Sequence, residues 1–272
     1  MKAVIAGLSA DHYPPEQKKF KSPLILVHGV WSGPWCWQSW ATHFCNLGWD
    51  CAAVDLRRCG GENDIGNLPR LSFTDCVRDL GEVIRSFPNP PVLVAMNLGA
   101  LLALKALEES TLAALILVSP SPPSNLTVGR SRPQHLLWLK YRLLLFLRRP
   151  IRIAEKDFRL YFLTPLSENV QNRLVRETVP DSSALVREFL APRIGFEPRS
   201  LTCPLLVLGG SDDKLTPVTN TSRMARSLAG EFKEYPGQGH WLIEHDGENV
   251  VRDIHRWIIR RLGERILLAE FS

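Results

Sequence analysis

The sequence lacks the patterns by which many proteins hold a metal ion, a nucleotide or a disulfide framework. Its six cysteines form no CxxC pair and show no zinc-ligand spacing, which excludes a zinc ribbon or a densely cross-linked domain. No Gly-x-Gly-x-x-Gly motif follows a first strand, and there is no P-loop. We therefore expect neither a metal nor a cofactor.

Long apolar runs and a strong charge imbalance are missing too. No apolar run reaches the about 18 residues that a transmembrane helix needs. The net charge is +5, and the densest basic stretch, residues 130–152, is interleaved with leucines. Nucleic-acid-binding domains usually carry a stronger, clustered positive charge with aromatic residues between the basic ones. We therefore expect no nucleic-acid partner.

The sequence says less about the cellular location and the oligomeric state of the protein. Residues 1–10 carry a short apolar stretch that is soon broken by Asp11 and Pro14, which is not typical of a signal peptide. Together with the scattered cysteines, this favours reduced thiols and a cytoplasmic location. No feature of the sequence predicts an oligomeric state.

Short apolar runs alternate with helical periodicity over most of the chain. The runs have four to six residues and are bounded by Gly, Pro, Ser or charge, which is typical of parallel strands buried on both faces. The alternation predicts an α/β fold with a doubly wound, mostly parallel sheet. The predicted strands are 24–27, 51–54, 91–95, 114–118 and 204–208, and the helices between them include 39–47, 72–86 and 98–109.

The alternation stops between residues 121 and 200, where helical segments follow one another without strands. We therefore predict a core of residues 1–120 and 201–272 with an inserted helical cap, or lid, at 121–200. A closing helix is expected at 248–262. The predicted cap helices are 135–147, 153–162, 168–178 and 183–190.

Four local patterns occur in one order along the chain. They are a strand ending in a His-Gly turn, a strand running into a helix through small residues, a strand end followed by two acids and a proline, and a glycine-rich turn holding a histidine. Written out, they are LVHGVW (26–31), VLVAMNLGA (92–100), LGGSDDKLTP (208–217) and GQGHW (237–241).

These patterns resemble the α/β-hydrolase superfamily, and the resemblance covers nearly the whole chain. That family places a nucleophile, an acid and a histidine in this order at the carboxyl ends of strands, which implies Asn97, Asp213 and His240 as the catalytic set. Asp213 is preferred to Asp212 because the family's acid usually stands four residues before a proline, here Pro217.

The resemblance also implies an oxyanion hole. Residues 28–37 resemble the oxyanion loop of small plant-type esterases and hydroxynitrile lyases. The backbone N–H groups of Val30 and Leu98 would form the hole, since the first amides of a helix are free to donate. Trp31 and Trp241 are expected to contact the substrate.

The chain departs from the family at the nucleophile itself. The family's elbow reads Gly-x-Ser-x-Gly, whereas this chain reads Ala95-Met96-Asn97-Leu98-Gly99. Asparagine tolerates the left-handed backbone of such a turn better than most residues. Its amide nitrogen is delocalised and poorly nucleophilic, so we expect no acyl-enzyme.

We therefore predict an enzyme without a serine nucleophile. His240 and Asp213 would act as a general base on a small-to-medium apolar carbonyl or ester compound, in lyase-, cyclase- or oxygenase-type chemistry or in slow hydrolysis by direct attack of water. The alternative is a catalytically retired hydrolase that binds a small molecule. The leucine-rich segment 136–149 is interpreted as a cap helix over the pocket, in preference to a membrane-surface helix.

Overall fold

The computed structural model describes residues 1–56, 65–126, 131–245 and 247–268. Cys59 lies outside the described residues, and so does Arg130, the first residue of the basic stretch. Within those ranges, no helix is both long and apolar enough to cross a membrane.

The described residues form one eight-stranded sheet in the order β1-β2-β4-β3-β5-β6-β7-β8. Strands β3 to β8 are parallel to one another, while β1 and β2 form an antiparallel hairpin whose second strand pairs antiparallel with β4. The predicted α/β fold is therefore confirmed. The strands are β1 (Lys2–Ile5), β2 (Leu8–Tyr13), β3 (Leu24–Val27), β4 (Cys51–Val54), β5 (Val92–Met96), β6 (Ala114–Val118), β7 (Leu205–Gly210) and β8 (Glu231–Tyr235).

The helices cover the sheet and make up the insertion between β6 and β7. Helix α2 packs on α3, and α1 packs on α10. The helices are α1 (Gln38–Asn46), α2 (Phe73–Arg85), α3 (Leu98–Leu107), α4 (Arg132–Phe146), α5 (Glu155–Phe158), α6 (Glu168–Glu177), α7 (Ser183–Leu190), α8 (Val218–Ser227), α9 (Leu242–His245) and α10 (Gly247–Leu262). Shorter 3-10 helices span Pro34–Trp37, Ile65–Arg70, Pro198–Ser200 and Gly263–Ile266, and a π-helical turn, Arg159–Leu163, continues α5.

The central strands are where the apolar runs predicted them, because they are buried on both faces. Strands β3 to β7 contain only buried residues. The edge strands were not predicted: β1 alternates exposed and half-buried residues, and β8 carries Glu231, Lys233 and Glu234. An edge strand is partly solvated, so its sequence contains no continuous apolar run to detect.

The insertion between β6 and β7 is helical, and its first helix packs inward along one face. Leu137, Tyr141 and Leu145 of α4 are buried, four residues apart, as one face of a helix requires. Helix α4 packs on α7, and the Gln134 side-chain amide donates to the Phe189 carbonyl at 3.3 Å. The division of the chain at residues 121 and 200 stays a prediction.

The insertion also forms hydrogen bonds with the loop that follows β3. Trp31 there has a φ of +60°, a region that bulky residues rarely adopt. Its backbone N–H donates to the Asp181 carboxylate at 2.5 Å, and its indole N–H donates to the Ile151 carbonyl at 2.9 Å. Asp181 is itself buried and pairs with Ile151 through two backbone hydrogen bonds. The Trp31 backbone is thus held by a carboxylate of the insertion.

We expect Asp181→Ala to lower the free energy of unfolding by about 2–3 kcal/mol, because it leaves the buried Trp31 N–H without its acceptor. The matched control is Asp181→Asn, which keeps a carbonyl oxygen at the same place and should lose less than half as much. Chemical denaturation followed by tryptophan fluorescence measures both. An Asp181→Ala protein with the parent's unfolding midpoint would show that the hydrogen bond from Trp31 to Asp181 does not stabilise the fold.

Candidate active site

The elbow between β5 and α3 is a sharp turn with Asn97 at its tip. Asn97 has φ +52° and ψ −124°, a strained positive-φ conformation outside the left-handed helical region that the sequence led us to expect. Two glycines make room for the turn. A Cβ on Gly29 would lie 2.5 Å from the Asn97 Cβ, and one on Gly99 would lie 2.4 Å from the His28 carbonyl oxygen. Small residues are therefore required on both sides of Asn97.

The two predicted oxyanion-hole donors converge on the side chain of Asn97. Its Oδ1 atom accepts the backbone N–H of Leu98 at 2.7 Å and that of Val30 at 3.4 Å. A carbonyl oxygen of the protein itself thus lies where a hydrolase of this fold would hold the oxygen of its substrate. Asn97 is almost completely buried.

The nitrogen of the same amide lies within hydrogen-bond distance of His240. The Asn97 Nδ2 atom lies 2.7 Å from His240 Nε2, and His240 Nδ1 lies 2.8 Å from Asp213 Oδ2. An amide nitrogen can only donate, so Nε2 accepts and the ring proton is on Nδ1, where it is donated to Asp213. This assignment of the tautomer follows from the bonding pattern. His240 is a neutral imidazole whose basic lone pair faces Asn97.

Asp213 is the acid that contacts the histidine. Its Oδ2 atom faces His240, while its Oδ1 atom accepts the backbone N–H groups of Leu215 and Thr216 at 2.8 and 2.9 Å. These bonds fix the carboxylate and satisfy it in a buried place. Asp212 is exposed and instead accepts the Ser211 hydroxyl at 2.7 Å.

An aromatic ring of the insertion contacts His240, and neighbouring aromatic residues pack against one another. The Phe162 ring lies edge-on to His240, with the ring centroids 5.2 Å apart. Trp31 meets Phe162 at 5.6 Å, and Trp241 stacks on Trp35 at 6.1 Å. Phe162 and Asp181 were not singled out in the sequence, since a phenylalanine or an aspartate in a helical segment gives no signal of its own. Their positions come from the packing of the insertion.

A small cavity adjoins the predicted oxyanion hole. Val30, Leu98, Leu102 and Leu185 are among the residues that line it, and its volume is about 10 Å³. That is close to the smallest space that holds one water molecule.

The hydrogen bonds of His28 are those of a residue with a structural role. Its Nδ1 atom lies 2.8 Å from the Gly29 carbonyl oxygen, and its Nε2 atom lies 3.3 Å from the Leu56 backbone nitrogen. Both ring nitrogens are thus engaged with the backbone on either side of the loop. Across the described ranges, no group of three or more His, Cys, Asp or Glu side chains is placed to hold a metal ion.

Known proteins match this chain over nearly its full length. Solved structures superpose closely: an esterase from Exiguobacterium antarcticum has a TM-score of 0.72 at 17% identity, with 94% of this chain and 97% of that one covered. A lipase-esterase related protein from Clostridium acetobutylicum has a TM-score of 0.71 at 11% identity, covering 92% and 99%. MenH from S. aureus has a TM-score of 0.70 at 15% identity, covering 92% and 97%.

At these identities the structural likeness establishes the fold alone. The family follows from the sequence. The family model described as "Alpha/beta hydrolase family" matches residues 24–253. That range includes the elbow at Asn97, the acid at Asp213 and the histidine at His240. This chain belongs to the α/β hydrolase family.

Proposed function

We propose that this protein does not hydrolyse esters through an acyl-enzyme and that its site binds a small apolar carbonyl compound without turning it over. One observation carries the proposal: a single amide, that of Asn97, engages both oxyanion-hole donors and the basic nitrogen of His240. Each of the three groups that would act on a substrate is already hydrogen-bonded to the protein itself.

Hydrolysis through an acyl-enzyme is disfavoured for two chemical reasons. An amide nitrogen offers no nucleophile to an ester carbonyl. The Asn97 oxygen also competes for the donors that would stabilise a tetrahedral intermediate, each of which is worth about 3–4 kcal/mol to such a transition state. A substrate would therefore meet a site without a nucleophile and with its electrostatic stabilisation occupied.

The same arrangement supports a carbonyl compound as the ligand. The hole accommodates a neutral carbonyl oxygen, since Asn97 itself supplies one. A ligand carbonyl would replace it when the side chain turns away, and the apolar part of the ligand would have to enlarge the adjoining cavity of about 10 Å³. Phe162 packs against His240, and Trp31 and Trp241 are the predicted contacts of the ligand. Their rings favour an apolar molecule. The scattered cysteines support a cytoplasmic location for this function.

A second candidate is favoured by the intact pair of His240 and Asp213, whose side chains are buried and 2.8 Å apart. Such a pair is the orienting half of a catalytic triad. With Asn97 turned aside, His240 Nε2 would take a proton from a substrate or a water molecule, and the N–H groups of Val30 and Leu98 would hold the resulting oxyanion. This reaction would be of the lyase, cyclase or oxygenase type, or hydrolysis by direct attack of water.

We expect Asn97→Ser to gain esterase activity on nitrophenyl butyrate, at least about 100-fold above the parent, because the hydroxyl can donate to His240 and the oxyanion hole is vacated. Asn97→Ala is the matched control, since it vacates the hole without supplying a nucleophile. The release of nitrophenolate measures all three proteins. A parent that already hydrolyses the ester faster than Asn97→Ala would contradict the proposal.

Replacement of the histidine separates binding from general-base catalysis. Methyl octyl ketone and ethyl octanoate serve as probes, with binding measured by calorimetry and products by mass spectrometry. For a binding site, we expect no product from either probe and a dissociation constant that changes less than about threefold in His240→Gln, a loss well under 1 kcal/mol. Product formation by the parent that falls by about 100-fold or more in His240→Gln would instead establish the general-base enzyme.

A further inference from the structure

Helix α4 is apolar on two opposite faces, which a cap helix over a pocket does not require. Its inner face, with Leu137, Tyr141 and Leu145, is buried against the rest of the protein. A second apolar row, here called the outer stripe, follows the same helix and its carboxyl end at spacings of three and four residues, on the side away from the inner face. The outer stripe consists of Leu136, Leu139, Leu143 and Leu147.

The outer stripe is open to solvent. Leu143 is 64% exposed, and Phe146 beside it is 82% exposed. The sequence led us to expect one apolar face that roofs the pocket, and only the inner face points inward. Contiguous exposed apolar side chains of this size are uncommon on a protein that meets only water, and they mark a surface of interaction.

Positive charge surrounds the outer stripe. Arg132 begins α4, Arg142 flanks the stripe, and Arg148 and Arg149 follow its end, while residues 131–152 contain no Asp or Glu. Lys140 forms an ion pair with Asp157. None of the acidic side chains in the described ranges forms an ion pair with Arg142, Arg148 or Arg149. The patch is therefore apolar along its centre and cationic at its margin.

We propose that the outer stripe of α4 docks on an anionic lipid surface. Leucines and Phe146 would enter the boundary between headgroups and acyl chains, and the arginines would bind lipid phosphates, as in other cationic amphipathic surfaces. A second copy of this chain fits less well, because a twofold contact through the stripe brings the same cations together. This surface is distinct from the site at Asn97, so the proposal does not depend on the proposed function.

Co-sedimentation of the full chain with lipid vesicles tests the proposal. We expect the protein to bind vesicles of phosphatidylcholine mixed with phosphatidylglycerol, and to bind vesicles of phosphatidylcholine alone at least about tenfold more weakly, since each arginine near the surface adds to the attraction. Added salt should weaken the binding because it screens the charges. Equal binding to both vesicles, or binding to neither, would overturn it.

Two pairs of substitutions separate the apolar and charged contributions. Leu143→Ser with Phe146→Ser, and Arg148→Glu with Arg149→Glu, should each reduce binding to the anionic vesicles by about tenfold or more. These side chains are exposed, so the fold should persist, which thermal melting followed by circular dichroism checks. Val4→Ser removes an apolar side chain that is 74% exposed on β1 and should bind as the parent does.

Variants of the stripe that bind vesicles as well as Val4→Ser does would overturn the proposal. A parent that sediments as a dimer without lipid, and becomes monomeric in the Leu143→Ser, Phe146→Ser variant, would overturn it too. That result would assign the patch to a second copy of the chain.

Discussion

The site is organised around one planar amide. Asn97 has a carbonyl oxygen and an amide nitrogen on the same short side chain, and the elbow directs the oxygen to the N–H groups of Val30 and Leu98 and the nitrogen to His240. Few other side chains satisfy both needs. Aspartate offers no donor to a neutral histidine, serine has no second atom to reach the hole, and glutamine places its amide one methylene further out. With asparagine at this position, the polar side-chain atoms of Asn97, His240 and Asp213 are paired with one another or with the backbone.

This pairing explains how His240 and Asp213 are satisfied in a buried place. A neutral imidazole whose lone pair faced an apolar wall would leave a buried acceptor unsatisfied, at a cost of about 1–3 kcal/mol. The Asn97 amide supplies the missing donor. Asp213 is satisfied separately by the N–H groups of Leu215 and Thr216. An intact histidine–aspartate pair is thus stable here whether or not it takes part in a reaction, and its presence alone does not decide between binding and turnover.

Sequence reasoning worked where one constraint determined the residues. The strands β3, β4 and β6 were predicted with the bounds that the structure has, because burial on both faces demands continuous apolar runs. The order of Asn97, Asp213 and His240 indicated that they would meet, since the carboxyl ends of parallel strands share one edge of the sheet. It could not indicate that the Asn97 oxygen would accept the N–H groups of Val30 and Leu98, because that depends on a side-chain rotation at the elbow. Nor could it show that α4 is apolar on two faces, since periodicity does not tell which face is covered.

The insertion is linked to the predicted oxyanion hole through consecutive residues of one loop. Val30 supplies the longer of the two bonds to the Asn97 oxygen, at 3.4 Å, and the N–H of the next residue, Trp31, is held by Asp181 of the insertion. Movement of the insertion away from the core would break the bond to Asp181 and release a backbone segment that is held at positive φ. The Val30 N–H would then lose its fixed direction, while the Leu98 N–H, on the first turn of α3, would keep its own. The Val30 N–H therefore stands next to a residue that the insertion holds, whereas the Leu98 N–H belongs to α3.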